Sequence, residues 1–159
     1  MNESVGGPIG ELLNYITQNR GEDKCNFFCS KCEVIFIGIV AITVKLLYQE
    51  RISIEKEQIE REWVKDFFKN IEYGNEKSCC IETIMHYAKE SRYSYEEYLR
   101  QLYEIFEEDK KLLLNIIEFL IYVKLSNNFY EEEDERFILK CIKIFNIDKN
   151  EYEEAKNTL

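Results

Sequence analysis

The chain has 159 residues, a formal net charge of −10 and a sequence pI near 4.8, and 14% of its residues are aromatic. A chain of this length buries roughly two-thirds of the surface that its unfolded form exposes, so it predicts one domain with its own core. The charge argues against binding to nucleic acid or to an anionic membrane surface, since both need clustered Lys and Arg. The aromatic content excludes a disordered acidic tail.

The first two predicted elements are a short helix and a long apolar helix. The segments "GGPIG" and "NRGEDK" bracket a helical stretch near residues 9–17. A second helix is expected over residues 27–48, where β-branched residues favour a strand but the length favours a helix. Its apolar run, residues 34–44, is shorter than the roughly 20 residues that span a bilayer. This run therefore predicts a buried core helix.

The remainder of the chain predicts further amphipathic helices. Ser53 caps a helix whose apolar stripe has a four-residue spacing, at Ile59, Trp63, Phe67 and Ile71. Helices are also expected near residues 79–89, after Asp109, over residues 131–145 and after Asp148, which forms an N-cap pair with Glu151. We therefore expect an all-α, single-domain bundle of about seven or eight helices. Residues 1–24 would form a lead segment with a short helix, and residues 25–159 the helical domain.

A capping box, "SYEE" at residues 94–97, begins one of these helices. The helix behind it places five residues on its inner side: Tyr95, Tyr98, Leu99, Leu102 and Phe106. The Tyr-rich stretch "YSYEEYLRQLY" is alternatively an exposed acidic-aromatic surface. With the acidic run "EEEDE", it would then bind a basic protein, a chaperone client or a second copy of the chain. The residues of that partner surface would be Tyr93, Tyr95, Tyr98, Tyr103, Glu131, Glu132 and Glu133.

Three cysteines lie close together in "CNFFCSKC", at Cys25, Cys29 and Cys32. Radical enzymes that hold an iron–sulfur cluster have an aromatic residue before the third cysteine, where this chain has Lys31. They also use a parallel barrel, for which this chain is too short. The spacing therefore does not indicate a radical enzyme. A thiolate zinc site is the alternative, although the run leads into an apolar helix instead of a tight turn. Its fourth ligand would come from Cys79, Cys80 or Cys141. Cysteine is among the most buried residue types, so packing in the core is the favoured interpretation.

The sequence shows no catalytic constellation. His86 is the only histidine, which excludes a histidine-based triad and a multi-histidine metal site. Cys79 or Cys80 beside His86 has no cationic neighbour in "CCIETIMHY" to lower the thiol pKa. A Gly-rich phosphate loop is also missing. We therefore expect a protein that is not an enzyme and has no cofactor.

Two stretches look like copies of one unit, "VKLLYQERIS" and "YVKLSNNFYEEEDERFIL". Each has the end of a long apolar helix, a short polar turn and an acidic amphipathic helix. This pattern resembles the TerB-like (tellurite-resistance B) domain, above all the version in the N-terminal half of membrane-anchored, DjlA-type DnaJ co-chaperones. The joint "FNID" at residues 145–148 is similar to that family's Leu-Gly-Ile-Ser joint. "GGPIGELLNYI" is similar to the glycine-rich segment after its anchor, so the resemblance covers residues 6–152.

The resemblance implies a non-catalytic, regulatory interaction module that recruits or orients partners for a co-chaperone. A J-domain's His-Pro-Asp tripeptide does not occur in this chain, so J-domain activity does not reside here. With no signal peptide at the start, the expected location is the cytoplasm, with reduced thiols. If a membrane anchor has been removed, the location would be the cytoplasmic face of the inner membrane, with no direct insertion by this chain.

The alternative function is a metal-binding stress-response protein of the tellurite-resistance type. The family's suspected cation ligands are the aspartates of Asp-Gly turns, which are replaced here by Gln49-Glu50 and Asn127-Asn128. Gln and Asn keep an oxygen but lose the charge that hard cations favour, so the affinity should fall. The candidate ligands are Glu50, Asn127, Glu131 and Asp134 for a carboxylate site, or the three clustered cysteines for zinc.

Overall fold

The computed structural model describes residues 6–18, 31–49, 81–126 and 132–157, together with residues 58, 62, 65 and 66. In these ranges the chain is helical, with no strand. The helices are α1 (Gly7–Gln18), α2 (Lys31–Gln49), α3 (Ile81–Glu90), α4 (Tyr95–Phe106), α5 (Lys110–Ser126), α6 (Glu132–Ile144) and α7 (Lys149–Asn157). The predicted all-α class is confirmed. The predicted helix after Ser53 lies largely outside the described ranges, where only residues 58, 62, 65 and 66 are seen to be helical.

Backbone contacts divide the chain into two compact units, Met1–Tyr98 and Leu99–Leu159. The division falls within α4. In the first unit α1 packs on both α2 and α3. The boundary predicted between residues 24 and 25 lies in a stretch that the structure does not describe, and it stays a prediction.

The helix α2 is the apolar centre of the first unit. It packs against α1 and α3, and its predicted core run is buried almost throughout. A helix that is apolar on all sides must be buried, and this tertiary burial outweighs the strand preference of its β-branched residues. The Thr43 hydroxyl, itself buried, donates a hydrogen bond of 2.8 Å to the carbonyl of Ile39. No helix in the described residues has the length and apolar character needed to cross a membrane.

Two amphipathic helices cover α2. Pro8 lies in the first turn of α1, where a missing N–H is tolerated, and Gly7 before it has a φ of 68°, which other residues rarely adopt. The buried side of α1 consists of Ile9, Leu12, Leu13 and Ile16. The buried side of α3 consists of Ile84, Met85 and Ala88. The opposite sides of α1 and α3 face outward.

In the second unit α5 packs against both α6 and α7. Its apolar stripe is buried at Leu113, Ile116, Ile117, Leu120 and Ile121, and Leu112 is half-buried. The core side of α6 consists of Phe137, Ile138, Cys141, Ile142 and Phe145. Cys141 is fully buried, so this cysteine packs as a core residue.

Side-chain caps fix the beginnings of three helices as the sequence predicts. At α4 the Glu97 amide donates to the Ser94 hydroxyl (3.3 Å), and the Ser94 amide donates to the Glu97 carboxylate (2.7 Å). At α5 the Leu112 amide donates to Asp109 (3.1 Å). At α7 Asp148 accepts a bond of 2.9 Å from the amide two residues on. Each cap satisfies an amide that the first turn leaves without a helical partner.

The end of α6 is a Schellman motif centred on Asn146. This residue has a φ of 52°, in the left-handed region, where asparagine is the commonest substitute for glycine. The Ile147 amide donates to the carbonyl of Ile142 (3.0 Å), and the Asn146 amide donates to that of Lys143 (3.2 Å). Ile142 and Ile147 are both buried, as the hydrophobic contact of this motif requires. The motif ends α6 and directs the chain into α7.

Candidate protein-binding surface

The turn between α3 and α4, residues 91–94, is held by bonds to both the helices around it. The Ser91 hydroxyl accepts a hydrogen bond from the Tyr98 hydroxyl (2.8 Å) and another from the Tyr93 amide (3.2 Å). Lys45 of α2 donates from Nζ to the carbonyls of Lys89 (3.2 Å) and Ser91. A lysine at this position satisfies carbonyls that the last turn of α3 leaves open.

Partial burial has a cost at Lys45. Burial lowers the pKa of its ammonium group, and the nearby Glu90 carboxylate acts in the opposite direction. The two accepting carbonyls replace part of the water that the charged group loses. Lys45 therefore joins α2 to the end of α3 in the first unit.

A second anchor joins the turn to α1 through Glu11. The Tyr93 hydroxyl donates to Glu11 Oε2 over 2.8 Å, and Arg92 donates to the same oxygen over 3.1 Å. Arg92 also donates to the Tyr93 hydroxyl (2.7 Å), and its guanidinium lies 4.8 Å from the centre of the Tyr93 ring. These hydrogen bonds, that to Tyr93 first and that to Glu11 second, raise the pKa of Arg92. Glu11, Arg92 and Tyr93 thus form one connected polar cluster.

The Tyr98 ring lies beneath this cluster. It meets the Tyr93 ring edge to face, with 6.3 Å between the centroids. Burial raises the pKa of Tyr98 to about 12, and the hydrogen bond with Ser91 only partly offsets that effect. The phenol is therefore neutral near pH 7 and keeps the proton that it donates to Ser91.

Beside the polar cluster lies a pair of stacked tyrosines, of which Tyr15 is exposed and Tyr87 is half-buried. Tyr15 of α1 is 47% exposed, and its ring stacks on Tyr87 of α3 with centroids 6.1 Å apart and planes 7° from parallel. Glu11 precedes Tyr15 by four residues, so both project from one side of α1. The exposed His86 meets the Tyr87 ring at an edge, 5.1 Å between centroids. We call the surface formed by Glu11, Tyr15, Tyr87, Arg92 and Tyr93 the tyrosine face.

The four tyrosines predicted as a partner surface differ in their exposure. Tyr95 and Tyr98 are 6% and 0% exposed, and Tyr93 and Tyr103 are half-buried. The expectation of exposure is therefore wrong for Tyr95 and Tyr98. The capping box sets the register of α4, and that register places both rings on the core side. The alternative prediction is confirmed, since Leu99, Leu102 and Phe106 are buried with them.

The predicted metal ligands stay predictions. Five candidates lie in stretches that the structure does not describe: Cys25, Cys29, Glu50, Asn127 and Glu131. Cys32 is the second residue of α2, and Glu133 and Asp134 lie in the first turn of α6. Glu132 is exposed and lies 3.5 Å from Arg136, a weak ion pair within one helix. Within the described ranges no three His, Cys, Asp or Glu side chains gather as metal ligands would.

Sequence reasoning did not select Tyr15 or Tyr87. A helical projection of α1 places Tyr15 at the edge of the stripe of Ile9, Leu12 and Ile16, one turn after Leu12. The stacking of Tyr15 on Tyr87 has no such local signal, because it depends on how α1 and α3 cross. The position of Tyr15 on α1 was therefore the only local sign of this surface in the sequence.

Comparison of the chain with protein-family models, with curated proteins and with solved structures found no match in any of the three. The described residues define a class: an all-helical protein whose first unit carries a stacked tyrosine pair with one exposed ring. The resemblance to the TerB-like domain rests on the sequence stretches given above.

Proposed function

We propose that this chain is a non-catalytic protein-interaction module and that its tyrosine face binds a partner protein. The observation that carries the proposal is the stack of the exposed Tyr15 on the half-buried Tyr87. Tyrosine is enriched at protein interfaces, because one side chain supplies both apolar area and a polar hydroxyl. A ring that is already stacked loses less conformational entropy when a partner covers it.

The polar cluster beside the stack supports a docking role. Glu11, Arg92 and Tyr93 hold one another in place through three hydrogen bonds of 2.7 to 3.1 Å. A surface ordered in this way is preorganised for binding. Arg92 remains largely exposed, so a partner can reach its guanidinium edge. Arginine and tyrosine are the residue types that most often dominate binding energy.

The charge of the protein indicates the chemistry of the partner. The chain carries a net charge of −10, and the first unit exposes Glu82 and Glu90 on α3. Complementary charge speeds association and disfavours wrong partners. We therefore infer a basic partner, or a basic segment of a chaperone client.

The type of module that we propose is TerB-like, as in the N-terminal region of DjlA-type co-chaperones. Two features support this assignment. Asn146 is left-handed at the position where the family's joint has glycine, so the backbone there matches what glycine provides. The apolar helix α5 precedes α6, which begins in the acidic run, in the order that the pseudo-repeat requires.

The described side chains also suit a module without catalysis. Cys141 is fully buried, where a substrate cannot reach its thiol. His86 lies against the ring of Tyr87, and Tyr98 keeps its proton near neutral pH. A nucleophile and base would instead need to share a hydrogen bond at an accessible position.

Site-specific photocrosslinking in the source cells tests the proposal. The photoreactive residue p-benzoylphenylalanine replaces Tyr15 in one variant, Tyr87 in a second and the exposed Glu154 of α7 in a control. We expect positions 15 and 87 to crosslink to one common protein that position 154 does not capture. Tyr15→Ala should abolish co-purification of that protein, whereas Tyr15→Phe, which keeps the stack, should retain most of it. The same crosslinks from all three positions, or none from 15 and 87, would count against the proposal.

A further inference from the structure

The exposed side of α6 carries three cations and one carboxylate, that of Glu132, which lies 3.5 Å from Arg136. Arg136, Lys140 and Lys143 are exposed at spacings of four and three residues, which places them on one side of the helix. Leu139 lies among them and is 51% exposed. An exposed leucine beside an excess of cations fits a docking site for an acidic surface that has its own apolar residue.

The same compact unit carries a surface of that kind at the end of α4. Ile105 is 42% exposed, and the exposed Glu104, Glu107 and Glu108 surround it in sequence. Within the part of the chain that the structure describes, these three carboxylates have no ion-pair partner. The end of α4 therefore has the opposite charge to α6 and a matching apolar residue.

We propose that α6 of one molecule docks on the C-terminal end of α4 in a second copy of this chain. An antiparallel alignment that places Leu139 on Ile105 also places Lys140 opposite Glu104. Because both helices advance by the same rise per residue, the same alignment brings Arg136 opposite the turn that holds Glu108. The same register therefore pairs the two apolar residues and brings each of the two cations opposite a carboxylate.

The occupant is a second copy because one compact unit carries both complementary surfaces. A two-fold pairing then makes each contact twice and closes, which avoids open filaments. Two chains of charge −10 repel each other in most orientations, so only a register that pairs opposite charges is stable. This pairing does not use the tyrosine face.

Charge reversal followed by mixing tests the pairing, with sedimentation velocity as the readout. One variant carries Glu104→Lys and Glu108→Lys, and the other carries Arg136→Glu and Lys140→Glu. We expect the parent to form a dimer that weakens as salt is added, and each variant alone to dimerise roughly a hundredfold more weakly. An equal mixture of the two variants should recover the dimer, because every reversed contact is again between opposite charges. Such recovery also shows that both variants fold.

The control variant carries Glu153→Lys and Glu154→Lys, two exposed residues of α7, and should dimerise like the parent. A parent that stays monomeric at every concentration would overturn the proposal, as would a dimer that survives both reversals. Tyr15→Ala should leave the dimer intact, and its loss in that variant would also overturn the pairing. Failure here leaves the crosslinks from position 15 unchanged, so the two proposals fail separately.

Discussion

The Tyr93 hydroxyl donates a hydrogen bond of 2.8 Å to the Glu11 carboxylate, between residues 82 positions apart in the chain. Arg92 binds the same carboxylate oxygen, so one acidic side chain on α1 holds two consecutive residues of the turn before α4. This contact stabilises the arrangement of the tyrosine face. Its strength can be measured apart from any partner.

A double-mutant cycle with Tyr93→Phe and Glu11→Ala measures the contact. A hydrogen bond to a charged group contributes about 1.5 kcal/mol, and we expect less here because Glu11 is partly exposed. The coupling between the two changes in urea unfolding should therefore be about 1 kcal/mol. A matched cycle with Tyr103→Phe in place of Tyr93→Phe should give none. Additive effects in the first cycle would show that the bond does not stabilise the fold.

The Ser94 cap offers a local test in the same region. Ser94→Ala removes the acceptor of the Glu97 amide, so the free energy of unfolding should fall by about 1 kcal/mol. Ser94→Thr keeps the acceptor and should lose less than half of that. Urea denaturation followed by circular dichroism measures both values. Equal losses in the two variants would mean that the hydroxyl acceptor of the cap does not account for the effect.

The caps show how far local sequence determines this fold. Ser94, Asp109 and Asp148 each bond an amide within three residues, so a short window contains all that is needed to place the start of a helix. The burial of α2 was predictable for a similar reason, because its apolar run has no polar side. Helix bounds and most core residues follow from such patterns.

Contacts between helices were not predictable in this way. Glu151, predicted to cap the start of α7 together with Asp148, forms an ion pair of 2.8 Å with Lys110 at the start of α5. That hydrogen bond raises the pKa of Lys110. The stack of Tyr15 on Tyr87 is likewise set by the packing of two helices. The candidate surface therefore emerged only from the three-dimensional arrangement.

Tyr98 should make the protein sensitive to alkaline pH. Its pKa is about 12 in the folded protein because of burial, against about 10 in the unfolded chain. Below pH 10 both states keep the proton, so its contribution to stability is complete. Between pH 10 and 12 only the unfolded state releases it, and the free energy of unfolding falls by up to about 1.4 kcal/mol per pH unit.

Comparison with Tyr98→Phe isolates this effect from the other tyrosines. The variant loses the hydrogen bond to Ser91 and should be less stable at pH 8 by about 1 kcal/mol. It cannot titrate at this position, so the difference from the parent should shrink as the pH rises above 10. Urea unfolding at several pH values measures the difference. A gap that stays constant would mean that the pKa of Tyr98 is not raised by folding.

The last prediction is that the cysteines do not bind a metal ion. Cys141 packs as an apolar residue in the core, and we expect the same role for the cluster of Cys25, Cys29 and Cys32. Protein purified without added metal should then contain far less than one equivalent of zinc by elemental mass spectrometry. Its helical circular dichroism and melting temperature should not change with a chelator, because no folding energy comes from a metal. Zinc near one equivalent per chain, released when the thiols are alkylated, would instead make those three cysteines ligands and metal binding the leading function.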